Sequence, residues 1–340
     1  MAARPNLFAM NHELAWEDPD IFVVRVPYAH LGLGHTNCYI IRDGDEALVI
    51  DPGVVSPGAS KALARAIDAV GVDLGAARFL CTHLHFDHAA LLKEIAQPGS
   101  RILMSAMAYE YNPWNNYRAR KKAVRELVRA EGITQMATRG LAALMSQARV
   151  CDLPGCTYTL LADGQEVRVG RHAFRVILTP GHAPGHICLY SDDERILLSG
   201  DHVLENTTPG LALPFEGHDS LRDYLASLAK VEGLDCRAVL PGHGEAFYDL
   251  AGRCAALREH HIERLGKVIE VVAHNPGANG NTIMRAMPWA KSGPFKNWER
   301  LNAYLRLNMG TQMLAYLEYL VRLGELERTE DGDGRHYWLA

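Results

Sequence analysis

The run Thr82-His83-Leu84-His85-Phe86-Asp87-His88 places three imidazoles and a carboxylate within positions 83–88, the densest set of metal-competent side chains in the sequence. Imidazole and carboxylate are the ligands that zinc and iron prefer where thiolate is absent. Four such groups packed together without a counter-ion would be costly. The run follows a short apolar strand, Arg78–Cys81, and precedes a helix, so it lies on the turn between them. His83 and His85, two apart at a strand end, can place both rings on one side. Asp87 and His88 open the next turn and can face a second point close by. A histidine-rich polar helix cap is the alternative for this run taken alone.

Three other strand ends each carry one residue of the same chemistry. Thr179-Pro180-Gly181-His182 follows a strand on a Gly/Pro loop, Leu198-Ser199-Gly200-Asp201 ends another, and Leu240-Pro241-Gly242-His243-Gly244 ends a third. Glycine there removes the side-chain obstacle to close approach. Taken singly, each reads as an ordinary strand-ending turn. Taken in order, with every ligand at a strand end, coincidence is a poor explanation.

Short β-type runs must position these groups: Ile21–Val26, Asn37–Ile41, Ala47–Ile50 running into Asp51-Pro52-Gly53, Arg101–Met104, Thr159–Leu161, Glu166–Val169, Phe174–Leu178, His186–Tyr190 and Ile196–Leu198. Leu63, Ala66, Ile67 and Val70 give the stretch 59–70 a helical rhythm. So many short strands, bounded by Gly, Pro or Asp, suggest two packed sheets rather than one open parallel sheet. Helical patterns near Tyr117–Ala130 and Thr134–Ala148 interrupt the strand series. After residue 250 the chain reads as helices at Cys254–Val272, Thr282–Ala286 and Trp298–Leu323, then two short strands, Glu325–Arg328 and His336–Leu339. Three helices and a hairpin resemble a winged helix.

The 340 residues suffice for one large domain or one medium and one small, and 48% hydrophobic content is ordinary for a protein with a real core. The formal net charge of −5 excludes polyanion binding by bulk electrostatics. The N-terminus lacks the apolar run of a signal peptide and no window is apolar enough to span a membrane, so a cytoplasmic location is expected. The 7 cysteines include no CxxC pair and stand mostly in apolar runs, which points to buried free thiols.

The order of ligands resembles the metallo-β-lactamase superfamily, over about residues 20–248. Its HxHxDH motif is present as His83, His85, Asp87 and His88, its third histidine as His182, its bridging aspartate as Asp201 and its last histidine as His243. The resemblance implies an α/β fold, a four-layer αββα sandwich with two metals at its edge. His83, His85 and His182 would hold the first metal, Asp87, His88 and His243 the second, with Asp201 bridging. True β-lactamases lack the bridging aspartate and often use a cysteine. Two divalent cations sharing a hydroxide bring its pKa to about 7 and polarise the attacked carbonyl or phosphoryl oxygen. Asp87 is the candidate acceptor of the hydroxide's proton. Zinc is the expected metal, with iron or manganese suited to the same ligands. His186, four residues after His182, and His202 are candidates to support the ligands from behind, or are buried structural histidines.

The ligand set does not choose among thioesters, esters, lactones and phosphodiesters. Tyr109, Tyr111, Trp114 and Tyr117 precede Arg118, Arg120, Lys121, Lys122, Arg125 and Arg129, with Glu126 the one acid among them. This helical insert, about residues 105–155, reads either as a solvated surface helix or as a cationic lid for an anionic substrate. Tyr109, Trp114, Tyr117, Arg118, Lys121, Lys122 and Arg125 are its candidate contacts. His35 and Asn37 are candidates for the mouth, or a turn residue and its hydrogen bond. From residue 253 onward 12 Lys/Arg face 10 Asp/Glu, which disfavours DNA. The arrangement of lactamase domain (1–250), insert and winged-helix-like tail (251–340) is similar to the branch of lactamase-β-like endoribonucleases and lactamase-type thioesterases. Glu259-His260-His261-x-x-Arg264 matches the first tail helix of that branch. The expectation is hydrolysis of a thioester or ester of an acyl-coenzyme A-like small molecule. Endoribonuclease action on RNA and lactone hydrolysis stay open beside it, and a homodimer is compatible with the sequence.

Overall fold

The computed structural model describes residues 12–28, 34–133, 148–213, 218–289, 298, 301 and 303–340. The helix expected at 134–148 lies outside these residues, apart from Ala148. The chain divides into two compact units. The first comprises residues 1–112, 147–209 and 233–251, and the second comprises 113–146, 210–232 and 252–340.

The first unit contains two sheets. One has seven strands whose spatial order is their sequence order: β1 (His12–Trp16), β2 (Asp20–Tyr28), β3 (Gly34–Asp43), β4 (Glu46–Ile50), β5 (Arg78–Leu80), β6 (Arg101–Ser105) and β7 (Thr157–Leu161). Neighbours are antiparallel as far as β4 and parallel from there on. The other sheet has five strands in the order β12-β11-β10-β9-β8, namely β8 (Glu166–Val169), β9 (His172–Leu178), β10 (Ile187–Ser191), β11 (Ile196–Gly200) and β12 (Ala238–Pro241). Only β11 and β12 run parallel there.

Strand alternation divides the apolar residues between two cores. Ile21, Val23, Tyr39, Ile41, Leu48 and Ile50 of the first sheet meet Phe174, Val176, Ile187, Leu189, Ile196 and Leu198 of the second. The intervening Val24, Cys38, Ile40 and Val49 point the other way, onto Leu63, Ala66, Ile67 and Val70 of α1 (Pro57–Val70). That helix starts at Ser56, whose Oγ accepts from Ala59 N, with Pro57 next, and stops at Gly71 in the left-handed conformation. Three short helices complete the unit: α2 (Phe86–Ala89), α3 (Leu92–Ile95) and α4 (Ala106–Glu110).

The second unit holds α5 (Tyr117–Ala130), α6 (Ser220–Val231), α7 (from residue 252 of Leu250–His274), α8 (Gly280–Ala286), α9 (Ala303–Leu323) and the hairpin of β13 (Leu326–Asp331) and β14 (Gly334–Leu339). Helix α5 has the bounds that its sequence pattern predicts. Helix α6 was not expected, although Asp219 caps it and Leu221, Tyr224, Leu228 and Val231 form its buried stripe. Glu131, buried just after α5, accepts from Tyr337 Oη at 2.7 Å and from Arg335 at 3.2 Å, which fastens that helix end to β14. In the His260-His261-x-x-Arg264 motif, His261 Nδ1 lies 3.1 Å from Tyr316 Oη, and Arg264 donates to the carbonyls of Pro288 and Trp289. Both contacts are internal packing of this unit. All seven cysteines are free; five are buried and Cys156 and Cys236 are half-buried. Among the described residues no helix is long and apolar enough to cross a membrane.

Leu189 lies wholly between the two sheets, whereas Leu160 on β7 is 42% exposed. Leu189→Ala should cost about 2–5 kcal/mol in denaturant unfolding. Leu160→Ala should stay within about 0.5 kcal/mol. Equal losses would contradict the two-sheet core.

Candidate metal centre

The sequence places all seven ligand candidates on segments that leave strands, and the fold brings those segments to one edge of the first unit. His83 and His85 lie between β5 and α2, Asp87 and His88 are in α2, and His182 is on the β9–β10 loop. Asp201 directly follows β11, and His243 follows β12. Ligand atoms of His83, His85 and His182 all lie within 4.8 Å of one another, and so do those of Asp87, His88 and His243. Asp201 Oδ2 sits between the two sets, 3.6 Å from His182 Nε2, 3.4 Å from His88 Nε2 and 3.5 Å from His243 Nε2. His83 and His88 are fully buried, while His85 and Asp87 are partly exposed, so the cluster opens on their side.

Hydrogen bonds behind the rings fix which nitrogen faces inward. His88 Nδ1 lies 2.9 Å from Asp51 Oδ2 and donates to it, leaving Nε2 in the cluster. His243 Nδ1 donates to the carbonyl of His35 at 2.7 Å. Thr82 Oγ1 gives its proton to Asp51 Oδ2 at 2.6 Å, so at 3.0 Å it accepts from His83 Nδ1. The inward nitrogens converge: His88 Nε2 and His243 Nε2 are 3.2 Å apart, and His83 Nε2 lies 3.0 Å from His85 Nδ1. Lone pairs facing each other at such distances require a proton or a cation between them.

The electrostatics point the same way. Burial, together with the neighbouring imidazoles, pushes His83 well below the ordinary histidine range and His85 to about 3. Burial opposes ionisation of Asp87, yet His88 and His243 hold it at about 2. Burial likewise opposes charge on His243, and Asp201 and Asp87 hold it up at about 10. Burial opposes ionisation of Asp201 too, yet His243 and His88 hold it well below the usual carboxylate range. The two carboxylates thus demand positive charge among the imidazoles, which a divalent cation that binds oxygen and nitrogen would supply. No cysteine belongs to a metal-competent group among the described residues.

Two histidines were expected behind the ligands. His186 is fully buried; its Nε2 accepts from the backbone N–H of Asp201 at 3.1 Å while Nδ1 donates to Thr179 Oγ1 at 2.8 Å. His202 is also buried, its ring 6.2 Å from that of His186. Close packing explains two glycines. A Cβ on Gly200 would come within 2.7 Å of His186 Nε2, and one on Gly242 within 2.5 Å of Asp201 Oδ1.

The sequence reading missed Asp51. Its carboxylate takes the Thr82 N–H at 2.8 Å as well as Thr82 Oγ1 and His88 Nδ1, and it too stands within 4.8 Å of His83 and His88. The Asp-Pro-Gly ending of β4 was the available signal, but an ordinary turn carries the same residues.

The mouth candidates divide. Asn37 does not line an opening: it is buried and its amide donates to the carbonyls of Pro241 at 2.9 Å and Gly244 at 2.8 Å, clamping the His243 loop. His35 serves that loop through its backbone carbonyl, and burial lowers its ring. Tyr109 packs into the core behind the first sheet, its ring 5.8 Å from that of Tyr158. Trp114 and Tyr117 stack at 5.1 Å in the second unit, with Lys121 over the Tyr117 ring. Arg118, Lys122 and Arg125 are exposed, and Lys122 pairs with Glu126 at 3.7 Å. Phe86, not anticipated, is 41% exposed between His85 and Asp87.

Residues 31–243 match the metallo-beta-lactamase superfamily, and the chain belongs to it. It is similar to the thioesterase pkgB of Emericella nidulans, 24% identical over 238 residues, which cover 70% of this chain and 54% of the relative. It is also similar to the atrochrysone carboxyl ACP thioesterase of Aspergillus fumigatus, 26% identical over 225 residues, covering 65% of this chain and 56% of the relative. The chain therefore spans about half the length of these two relatives. The crystal structure of a metallo-beta-lactamase family protein from Thermus thermophilus superposes with a TM-score of 0.78 at 23% identity, covering 94% of this chain and 98% of that one. That likeness shows the fold, an α/β sandwich of the superfamily.

Asp51→Asn keeps the shape but turns one oxygen facing His88 into a donor. It should weaken zinc binding by roughly 10–100-fold, read by competition with a chromogenic chelator, while the thermal transition persists. Unchanged affinity would show that Asp51 does not orient His88.

Proposed function

We propose that the protein is a dinuclear metal-dependent hydrolase of thioesters or esters, acting on an acyl compound with an anionic carrier portion. The observation that carries this reading is Asp201 Oδ2, which faces His182 on one side and His88 and His243 on the other. A carboxylate oxygen so placed fits a bridge between two cations. His83, His85 and His182 would hold one, and Asp87, His88 and His243 the other; zinc suits the donor set. When bound, such ions supply an acidified water and polarise the substrate carbonyl.

The protein's own residues do the rest. His88, His243 and His83 present fixed nitrogens because Asp51, the His35 carbonyl and Thr82 hold their other edges. His186 holds the Asp201 backbone by accepting its N–H. Asp87, ionised and partly open to solvent, takes the proton of the attacking water. Phe86 beside it offers an apolar surface to an acyl group. Phosphodiester or lactone hydrolysis would use the same ligands; the thioesterase names of both fungal relatives favour the thioester. In this reading residues 1–250 contain the catalytic machinery, and residues 251–340 form a winged-helix-like appendage in a cytoplasmic protein.

The test is release of free thiol from a panel of acyl-coenzyme A thioesters by zinc-loaded protein. Asp87→Ala should lower turnover by roughly 100-fold or more with the fold retained by circular dichroism. Wild-type turnover in the folded variant would overturn the site assignment. Cleavage of RNA or lactones with none of the thioesters would overturn the substrate class.

A further inference from the structure

We infer that the cationic face of α5 is a docking surface for an acidic carrier protein that bears the acyl thioester. The inference rests on the thioester reading above. Arg118, Lys121, Lys122, Arg125 and Arg129 follow one another at spacings of 3, 1, 3 and 4 residues. At 100° per residue these five fall within an arc of about 100°, and at 1.5 Å rise they extend over about 16 Å. Arg118, Lys122, Arg125 and Arg129 are exposed, and Lys121 leans over the Tyr117 ring. Glu126 is the one acid within the helix, and its pair with Lys122 at 3.7 Å is so exposed that it contributes little. A chain of net charge −5 thus concentrates positive charge along one side of one helix.

The helix is held along one flank of the stripe, since Val128 falls about 20° round the axis from Lys121. Val128 is buried, and Glu131 just beyond the helix is bound by Tyr337 and Arg335, with its backbone carbonyl accepting from Asn281 N at 2.9 Å. A stripe on a fixed support keeps its spacing and loses less entropy on binding.

Its length and composition select the partner. A single phosphate group meets one or two such side chains, whereas a row of carboxylates on a protein surface meets the whole stripe. Single-stranded RNA needs aromatic platforms interleaved with the cations. Here Trp114 and Tyr117 stand together at one end and stack on each other, their planes 8° apart. An acidic helix laid along α5 satisfies the charges without needing a base platform. Such pairing acts chiefly on encounter rate and is strongly salt-dependent.

The experiment is a fluorescence-anisotropy titration of a labelled acidic acyl carrier protein into the full chain, at low and at physiological salt. The quadruple variant Arg118→Gln, Lys122→Gln, Arg125→Gln, Arg129→Gln should raise Kd at least about tenfold and flatten its salt dependence. Replacing the three arginines by lysine should keep binding. Melting curves establish that each variant is folded. Unchanged Kd in the glutamine variant overturns the proposal, as does a loss of equal size in the lysine variant. Tighter binding of a 20-nucleotide single-stranded RNA than of the carrier protein, lost in the glutamine variant, also overturns it and assigns the stripe to RNA. Equal loss of affinity for free coenzyme A and for the carrier protein would show that the stripe reads phosphate alone. Because the readout is binding, carrier-protein binding without thioester hydrolysis would sustain the docking surface and defeat only the proposed reaction.

Discussion

Asp51 sits at the end of β4 with φ of 50°, in the left-handed region that aspartate tolerates better than most residues. There its buried carboxylate takes hydrogen bonds from the Thr82 N–H, the Thr82 hydroxyl and His88 Nδ1. Three segments meet on that one group: the end of β4, the exit from β5 and the short helix α2. Thr82 in turn accepts from His83, so two inward-facing ring nitrogens are set by a single carboxylate. Without it the HxHxDH turn would have the right residues but no fixed tautomers. Such outer hydrogen bonds commonly decide ring orientation at metal sites.

From Asp51 outward the arrangement is held by hydrogen bonds between side chains and backbone. The His35 carbonyl fixes His243, the His186 ring holds the Asp201 N–H, and Asn37 clamps the loop that carries His243. Glycine at 200 and 242 allows those loops to approach. The result concentrates two ionised carboxylates and five imidazoles in largely dry surroundings. The protein alone meets that imbalance only by drawing protons onto His88 and His243. Divalent cations would resolve it without protonating the rings, which would couple metal binding to the order of this edge.

All seven ligand candidates were legible in the sequence, because each combines a metal-competent residue with a strand end and most with a nearby glycine. The strands that hold them were largely legible as short apolar runs bounded by Gly, Pro or Asp, and α5 from its spacing of apolar and basic residues. Strand β1 was not, since His12-Glu13-Leu14-Ala15-Trp16 alternates weakly and is secured by pairing with β2. Asp51 was passed over because one aspartate in a turn has no spacing to betray it. The carbonyl of His35 is a backbone group and has no residue-type signal at all. Asn37 follows the second of its two readings, a hydrogen-bonding residue, but its partner loop lies more than 200 positions away, which local pattern does not reach. Tyr109 belongs to an aromatic cluster that composition groups and the fold separates, one ring in a core and two stacked on a helix.

The central claim is that nitrogen and oxygen ligands alone hold a pair of cations at this edge. X-ray absorption at the zinc edge of zinc-loaded protein tests it most directly. The account predicts a first shell of nitrogen and oxygen near about 2.0–2.1 Å with imidazole multiple scattering, and a metal–metal vector of about 3.5–4 Å. A sulfur shell near about 2.3 Å, or zinc bound without imidazole, would contradict it.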